Sequence, residues 1–306
     1  MSAVLIVGCG YVGERVARAE QEAGATVIAL VRSIESVARL AALGIAGIRA
    51  DLDDPVSLAA LPTADTILYY FAPPPAAGVS DMRIANFLAA ITRPPRCIVL
   101  ISTTGVYGDC RGEWVTEDRA PHPVADRARR RLDAEQRLRA WGQAHAVPVS
   151  ILRVPGIYGP GRLPVKRLQA GEPVLREAES PWSNRVHVDD LVRACLAAAR
   201  AGQASGVYNI SDGHPSTMTD YFNRVADAVG LPRPPQITRT EARTVLSDGM
   251  RSYLAESKRL DNRRMREELG IEPRYPDLAQ GLAACVAARE PGDAESGRCC
   301  RPVETR

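Results

Sequence analysis

The stretch Ala3-Val4-Leu5-Ile6-Val7, followed by Gly8-Cys9-Gly10-Tyr11-Val12-Gly13, decides the fold. An unbroken apolar run of this length reads as a strand buried on both faces. The glycines that follow have G-x-G-x-x-G spacing, and the amphipathic stretch Glu14–Ala23 behind them reads as a helix. Between a strand and a helix, each glycine has a physical task. Gly8 permits the tight turn, Gly10 lets a pyrophosphate approach the backbone, and Gly13 lets helix and strand pack closely. The helix N-terminus offers free N–H groups and its positive dipole end to phosphates. The loop therefore predicts a dinucleotide site; the alternative is a glycine-rich turn without a ligand.

The same rhythm continues along the chain. Thr26–Val31, Thr66–Phe71, Cys97–Ser102 and Ser150–Val154 are short and nearly all apolar, with amphipathic stretches such as Asp126–Trp141 between them. Strand and helix in alternation predict an α/β fold, a Rossmann-type doubly wound parallel sheet. After Gly156 the pattern breaks into glycine- and proline-rich turns at Gly159–Pro164 and Gly171–Pro173. It resumes with a helix around Asp189–Ala201 and a strand at Gly206–Ile210. Another helix is expected from Thr217, where Thr217 and Asp220 have capping-box spacing. Leu231–Pro235 reads as a turn, and Lys258–Leu269 as a helix ended by Gly270. The expected division is a dinucleotide-binding domain over 1–157 with 186–210, and a smaller C-terminal substrate subdomain over 158–185 with 211–290. The polar, unpatterned Pro291–Arg306 is expected to be a flexible tail.

Composition narrows the function. The chain has 306 residues, 45% hydrophobic and 25% charged, which is ordinary for a globular protein and excludes disorder. A net charge of +3 is too balanced to predict a nucleic-acid partner. Only Lys166 and Lys258 among the 39 basic residues are lysines. Seven cysteines, scattered and without C-x-x-C spacing, argue for a reducing compartment and against structural zinc. Ala3–Val7 has no basic stretch before it and does not read as a signal peptide, and no run reaches membrane-span length. A cytoplasmic protein is expected, a monomer or homodimer with a small-molecule substrate and neither nucleic-acid nor membrane partners. His122, His145, His187 and His214 show no metal-ligand spacing, so no metal is expected.

The second strand selects the cofactor. NAD sites carry an acid at its end, about 20 residues beyond the glycine loop, to hold the ribose 2′-hydroxyl. Here the strand ends Leu30-Val31-Arg32-Ser33, and the nearest acid is Glu35. Arg32 and Ser33 suit a 2′-phosphate, so NADP is expected, with NAD possible. The alternative is an ordinary surface arginine.

Further segments carry a resemblance. They are Asp51-Leu52 after the third strand, Ser102-Thr103-Thr104-Gly105-Val106-Tyr107-Gly108, and Arg153-Val154-Pro155-Gly156-Ile157-Tyr158-Gly159-Pro160-Gly161. Val186-His187-Val188-Asp189-Asp190-Leu191 and Val207-Tyr208-Asn209-Ile210 extend the series. In this order they resemble the extended short-chain dehydrogenase/reductases, the NAD(P)-dependent sugar-nucleotide epimerases and dehydratases, from about residue 3 to 287. Gly156 stands where that family usually has asparagine. The resemblance implies cofactor contacts from Gly8, Gly10, Tyr11, Val12, Gly13, Arg32, Ser33, Asp51, Leu52, Ala72 and Pro155. Pro73-Pro74-Pro75 gives a stiff loop at the cofactor edge. Tyr158 and Arg185 are implied on the substrate side, although Arg185 precedes His187 by two residues rather than the usual three or four.

One departure matters most. The family frame P-x-x-x-Y-x-x-x-K-x-x-x-E is present as Pro123, Arg127, Arg131 and Glu135. Arginine thus replaces both members of the catalytic pair, and the chain resembles an atypical member without the dyad. A guanidinium stays protonated and cannot exchange the proton that the tyrosine normally handles. Arg131 remains able to reach ribose hydroxyls and Arg127 to hold an anion; otherwise both are solvated arginines beside Asp126, Asp133 and Glu135. Thr103 occupies the family's hydroxyl position, which implies that it polarises a carbonyl, the alternative being a strand-end threonine that satisfies backbone; Tyr107, Tyr158 or a water on Thr103 is the expected proton donor. Two functions follow: an NADP-preferring oxidoreductase, epimerase or dehydratase acting on a carbonyl or sugar-nucleotide-like substrate, or a non-catalytic NADP-binding redox sensor or scaffold.

Overall fold

The apolar runs lie side by side and all parallel. β1 is Ala3–Val7, β2 Thr26–Val31, β3 Ala46–Arg49, β4 Ile67–Tyr70 and β5 Cys97–Thr103. With the strands Val149–Val154 and Gly206–Asn209 they form a seven-stranded sheet, ordered Gly206–Asn209, Val149–Val154, β5, β4, β1, β2, β3. The computed structural model describes residues 2–201 and 205–288, so the expected tail at Pro291–Arg306 lies outside them.

Burial on both faces explains why the strands lack polar alternation. On one face Leu5, Val7, Leu68, Tyr70, Ile98 and Leu100 pack with helices α3 (Met82–Ala89) and α4 (Asp126–His145). On the other, Val4, Ile6, Tyr69 and Val99 pack with α1 (Tyr11–Glu22) and the helix Val188–Arg200. A separate cluster of Tyr158, Leu168, Phe222, Val225 and Leu282 joins the helices Val165–Gln169, Met218–Val229 and Leu278–Ala287. The strand order reverses between β1 and β4, and ligands of such sheets bind in the crevice beyond that point.

Thr217 caps its helix as its spacing predicts, accepting from the Asp220 backbone N–H at 2.9 Å. Asp220 does not complete the box; its carboxylate takes Arg224 instead. The expected helix over Lys258–Leu269 is corrected. Arg259–Leu260 is a short strand parallel to Trp114–Val115, and helix begins only at Arg263. Leu260 is fully buried and its N–H donates to Asn184 Oδ1 at 2.8 Å, so tertiary pairing overrides the local pattern.

Candidate active site

β1 delivers Gly8 to the reversal point, directly against the end of β4. Gly8 has φ +91°, and a Cβ there would stand 2.5 Å from the backbone nitrogen of Ala72. A Cβ on Gly13 would meet the Gly8 carbonyl oxygen at 3.0 Å. Gly10 is the opposite case, since a Cβ there would meet nothing within 4 Å. Gly10 also caps α1 without any side-chain hydrogen bond. The loop is therefore closed toward the protein and open at Gly10, with the first N–H groups of α1 uncovered. That shape and those donors fit a pyrophosphate. Tyr11 Oη donates to the Pro160 carbonyl at 3.0 Å, and Val12 packs against the core. Cys9 is a small packed side chain, its thiol pushed up to about 12 by burial.

At the ribose edge, Arg32 is exposed at the end of β2. Ser33 Oγ accepts the Ser36 N–H at 3.2 Å and so caps α2, Ile34–Ala41. Asp51 Oδ1 accepts from the Asp53 N–H, and the carbonyl of buried Leu52 accepts from Asn86. Arg83 grips Asp53 and the carbonyls of Pro73 and Pro74, which fixes the proline loop beside this edge.

A cavity of about 560 Å³ lies beyond the ends of β5 and Val149–Val154 and gathers Thr103, Arg127, Arg131, Pro155 and Arg185. Thr103 is brought there by register with Val154. Its Oγ1 accepts the Gly105 N–H at 3.2 Å, which leaves the hydroxyl hydrogen free to donate. Arg127 and Arg131, one turn apart on α4, form one wall. Arg127 stacks 4.0 Å over Tyr253, donates to Ser252 Oγ at 2.5 Å and stands 3.7 Å from Glu256. Arg131 Nη1 is shielded from solvent and has no partner among the described residues. On the other wall Arg185 is 7% exposed and stacks 4.3 Å over Tyr221. A Cβ on Gly156 would meet Arg185 Nη1 at 2.9 Å, so the missing asparagine makes room for this guanidinium.

Beneath the cavity the rest of the frame forms a buried knot. Glu135 receives Arg153 at 2.7 Å and Ser102 Oγ at 2.5 Å. Arg153 also lies 4.7 Å over the Tyr107 ring. Tyr107 Oη donates to Asn209 Oδ1 at 2.8 Å, and burial pushes the phenol up to about 12 despite the opposing charge of Arg153. Tyr158 is fully buried beside the edge of His187, with its hydroxyl unpartnered among the described residues. Neither tyrosine lines the cavity. His187 caps its helix through the Asp189 N–H and lies 3.7 Å from Cys285.

Sequence reading missed the residues that face α4 across the cavity: Tyr253, Glu256 and Lys258, with Tyr221 nearby. Lys258 Nζ donates to Glu256 at 2.7 Å. The scarcity of lysine was the one available signal. Among the described residues, no group of three or more His, Cys, Asp or Glu is placed to hold a metal, and no helix is long and apolar enough to cross a membrane.

Residues 4–211 match the NAD dependent epimerase/dehydratase family. The chain belongs to that family. This family member is 34% identical over 189 residues to Protein YeeZ of Escherichia coli K12, a match covering 60% of each chain. It spans about three-fifths of the length of the curated relatives it matches. A functionally unknown conserved protein from Silicibacter pomeroyi superimposes with a TM-score of 0.81 at 30% identity, over 94% of this chain and 99% of that one. A UDP-glucuronic acid 4-epimerase from Bacillus cereus, solved in complex with NAD, gives 0.73 at 19% identity over 93% and 97%. At that identity the likeness speaks for the fold alone.

Proposed function

We propose that this family member is a nicotinamide-dependent oxidoreductase, epimerase or dehydratase that prefers NADP and acts on a carbonyl or sugar-nucleotide-like substrate without the Tyr/Lys dyad. The observation that carries the reading is that the open Gly10 cradle and a cavity holding a hydroxyl donor and arginines lie at the same edge of the parallel sheet, beyond the ends of β1 and β5. Gly8, Gly10, Tyr11, Val12 and Gly13 would hold the pyrophosphate, Arg32 the 2′-phosphate, and Asp51, Leu52, Ala72 and Pro155 the rest. When bound, the nicotinamide supplies hydride exchange with a substrate carbon. Thr103 then polarises the substrate oxygen through its free hydroxyl hydrogen, directly or through a water. Tyr158 shapes the substrate side from beneath, and Arg185 meets an anionic part of the substrate. The division into a cofactor domain and a smaller substrate subdomain belongs to the same reading, as does a cytoplasmic monomer or homodimer, in keeping with the scattered cysteines.

The experiment is a titration of NADPH and NADH into the protein and an Arg32→Ala variant, beside a screen of carbonyl and nucleotide-sugar substrates. NADPH should bind about tenfold tighter or more, and Arg32→Ala should erase the difference. Equal affinities would sink the NADP assignment. A second reading, an NADP-binding module without turnover, is favoured by the commitment of Tyr107 to Asn209 and the depth of Tyr158. Cofactor binding without turnover across the screen selects it.

A further inference from the structure

The charges around the cavity do not balance. Arg127, Arg131, Arg185 and Lys258 line it, with Glu256 as their lining carboxylate. Arg167 also reaches it but is paired at the surface with Glu172 at 2.6 Å. Glu256 is already held by Lys258 at 2.7 Å and lies only 3.7 Å from Arg127. Asp81 and Glu135 act on Arg131 and Asp212 acts on Arg185, yet none of the three forms an ion pair with them among the described residues, and Glu135 is taken by Arg153. Burial raises the carboxyls of Asp81 and Asp212 above their ordinary range, which weakens that compensation further. Clustered cations without acids are costly in a partly desolvated cavity unless a ligand supplies the negative charge.

Arg127 stands in the α4 frame one turn before Arg131, at the position where the family carries its proton-exchanging tyrosine. It shares the cavity with Thr103, and its plane is held by a ring and a neutral hydroxyl rather than by a bidentate carboxylate. Stacking fixes the plane of a guanidinium and leaves its edge available for a planar or tetrahedral anion. We propose that the substrate carries an anionic group, carboxylate or phosphate, next to the carbon that reacts, and that Arg127 reads it. This rests on the reading above, in which Thr103 marks the reacting end.

The test uses protein saturated with NADPH or NADH, so that small anions cannot occupy the glycine loop. UDP-glucose and UDP-glucuronate, which differ by one carboxylate, are titrated calorimetrically, with malonate and inorganic phosphate as separate arms. UDP-glucuronate should bind at least about tenfold tighter than UDP-glucose. Arg127→Gln should remove that difference, while Arg127→Lys restores part of it. A melting temperature equal to the parent's confirms that the variants fold, as expected for a side chain 31% exposed. Equal affinity for the two sugars, or a preference that survives Arg127→Gln, overturns the proposal. If neither sugar binds but malonate or phosphate does, and Arg127→Gln abolishes it, the anion site stands and the sugar-nucleotide reading fails; the stronger of those two arms names the group. Binding of none of the four overturns the proposal. A protein that takes up neither cofactor fails the functional reading first, and the same titrations on the free protein still judge Arg127.

Discussion

The glycine loop and the arginine-lined cavity solve opposite problems. In the loop, backbone lies against backbone: Gly8 touches Ala72 and Gly13 faces the Gly8 carbonyl, with no room for an added methyl. In the cavity, long side chains stand over aromatic rings, Arg127 on Tyr253 and Arg185 on Tyr221, with charge left over. The first region takes its shape chiefly from backbone against backbone, with the side chains of Ile6 and Cys9 close beside Gly13. The second keeps its shape only as long as several separate elements hold together. Damage to the loop should therefore separate cleanly into folding and binding effects, whereas damage near the cavity should mix them.

The largest expected effect comes from the knot under the cavity. Among the described residues, Glu135→Gln removes the only acid paired with buried Arg153, whose Nη1 has no partner there. Breaking a buried pair of this kind costs about 3–5 kcal/mol, and urea unfolding should show it. A loss below about 1 kcal/mol would mean that the pair is better hydrated than its burial indicates.

Next come two glycines of one loop. Gly8→Ala combines a left-handed backbone with a collision against Ala72, and should cost about 2–4 kcal/mol. Gly10→Val fills open space, so stability should change by less than about 0.5 kcal/mol while cofactor binding is lost. Calorimetry and cofactor fluorescence on both variants check the pair. A Gly10→Val protein that still binds would break the contrast between a closed and an open face.

The smallest effect is a slope. Burial lifts the Asp212 carboxyl to about 7, despite a hydrogen bond from the His214 N–H. The unfolded chain releases this proton near pH 4, so between about pH 4 and 7 the folded state holds more protons. The contribution of Asp212 is thus fully present below pH 4 and is lost as pH rises through 7. Unfolding free energy followed from pH 5 to 8 should fall less steeply for Asp212→Asn than for the parent, and parallel profiles would refute the shift.

Much of the loop was legible because its logic is local. Gly8, Gly10 and Gly13 sit within six residues of each other, and the flanking strand and helix have clear periods. The dyad frame was equally legible, since Pro123, Arg127, Arg131 and Glu135 lie on one contiguous stretch. What faces that frame was not. Tyr253, Glu256 and Lys258 reach α4 through long-range packing, and their segment carries no period or motif. The fate of Tyr107 was hidden for the same reason, because its hydroxyl partner, Asn209, is about a hundred residues away. The strand Arg259–Leu260 was mistaken for helix because two residues cannot display a period, and only Trp114–Val115 gives them a strand partner.

That small pairing also sets a timetable for biosynthesis. The strands that frame the glycine loop, β1, β2 and β4, have been made by Tyr70. Trp114–Val115 must wait for Arg259–Leu260, roughly 145 residues or about 7–30 s later at ordinary translation rates. Throughout that interval the cavity wall that carries Tyr253, Glu256 and Lys258 has not yet been made. Under the proposed function, the cofactor side of the site is synthesised first and the ribosome supplies the other wall last.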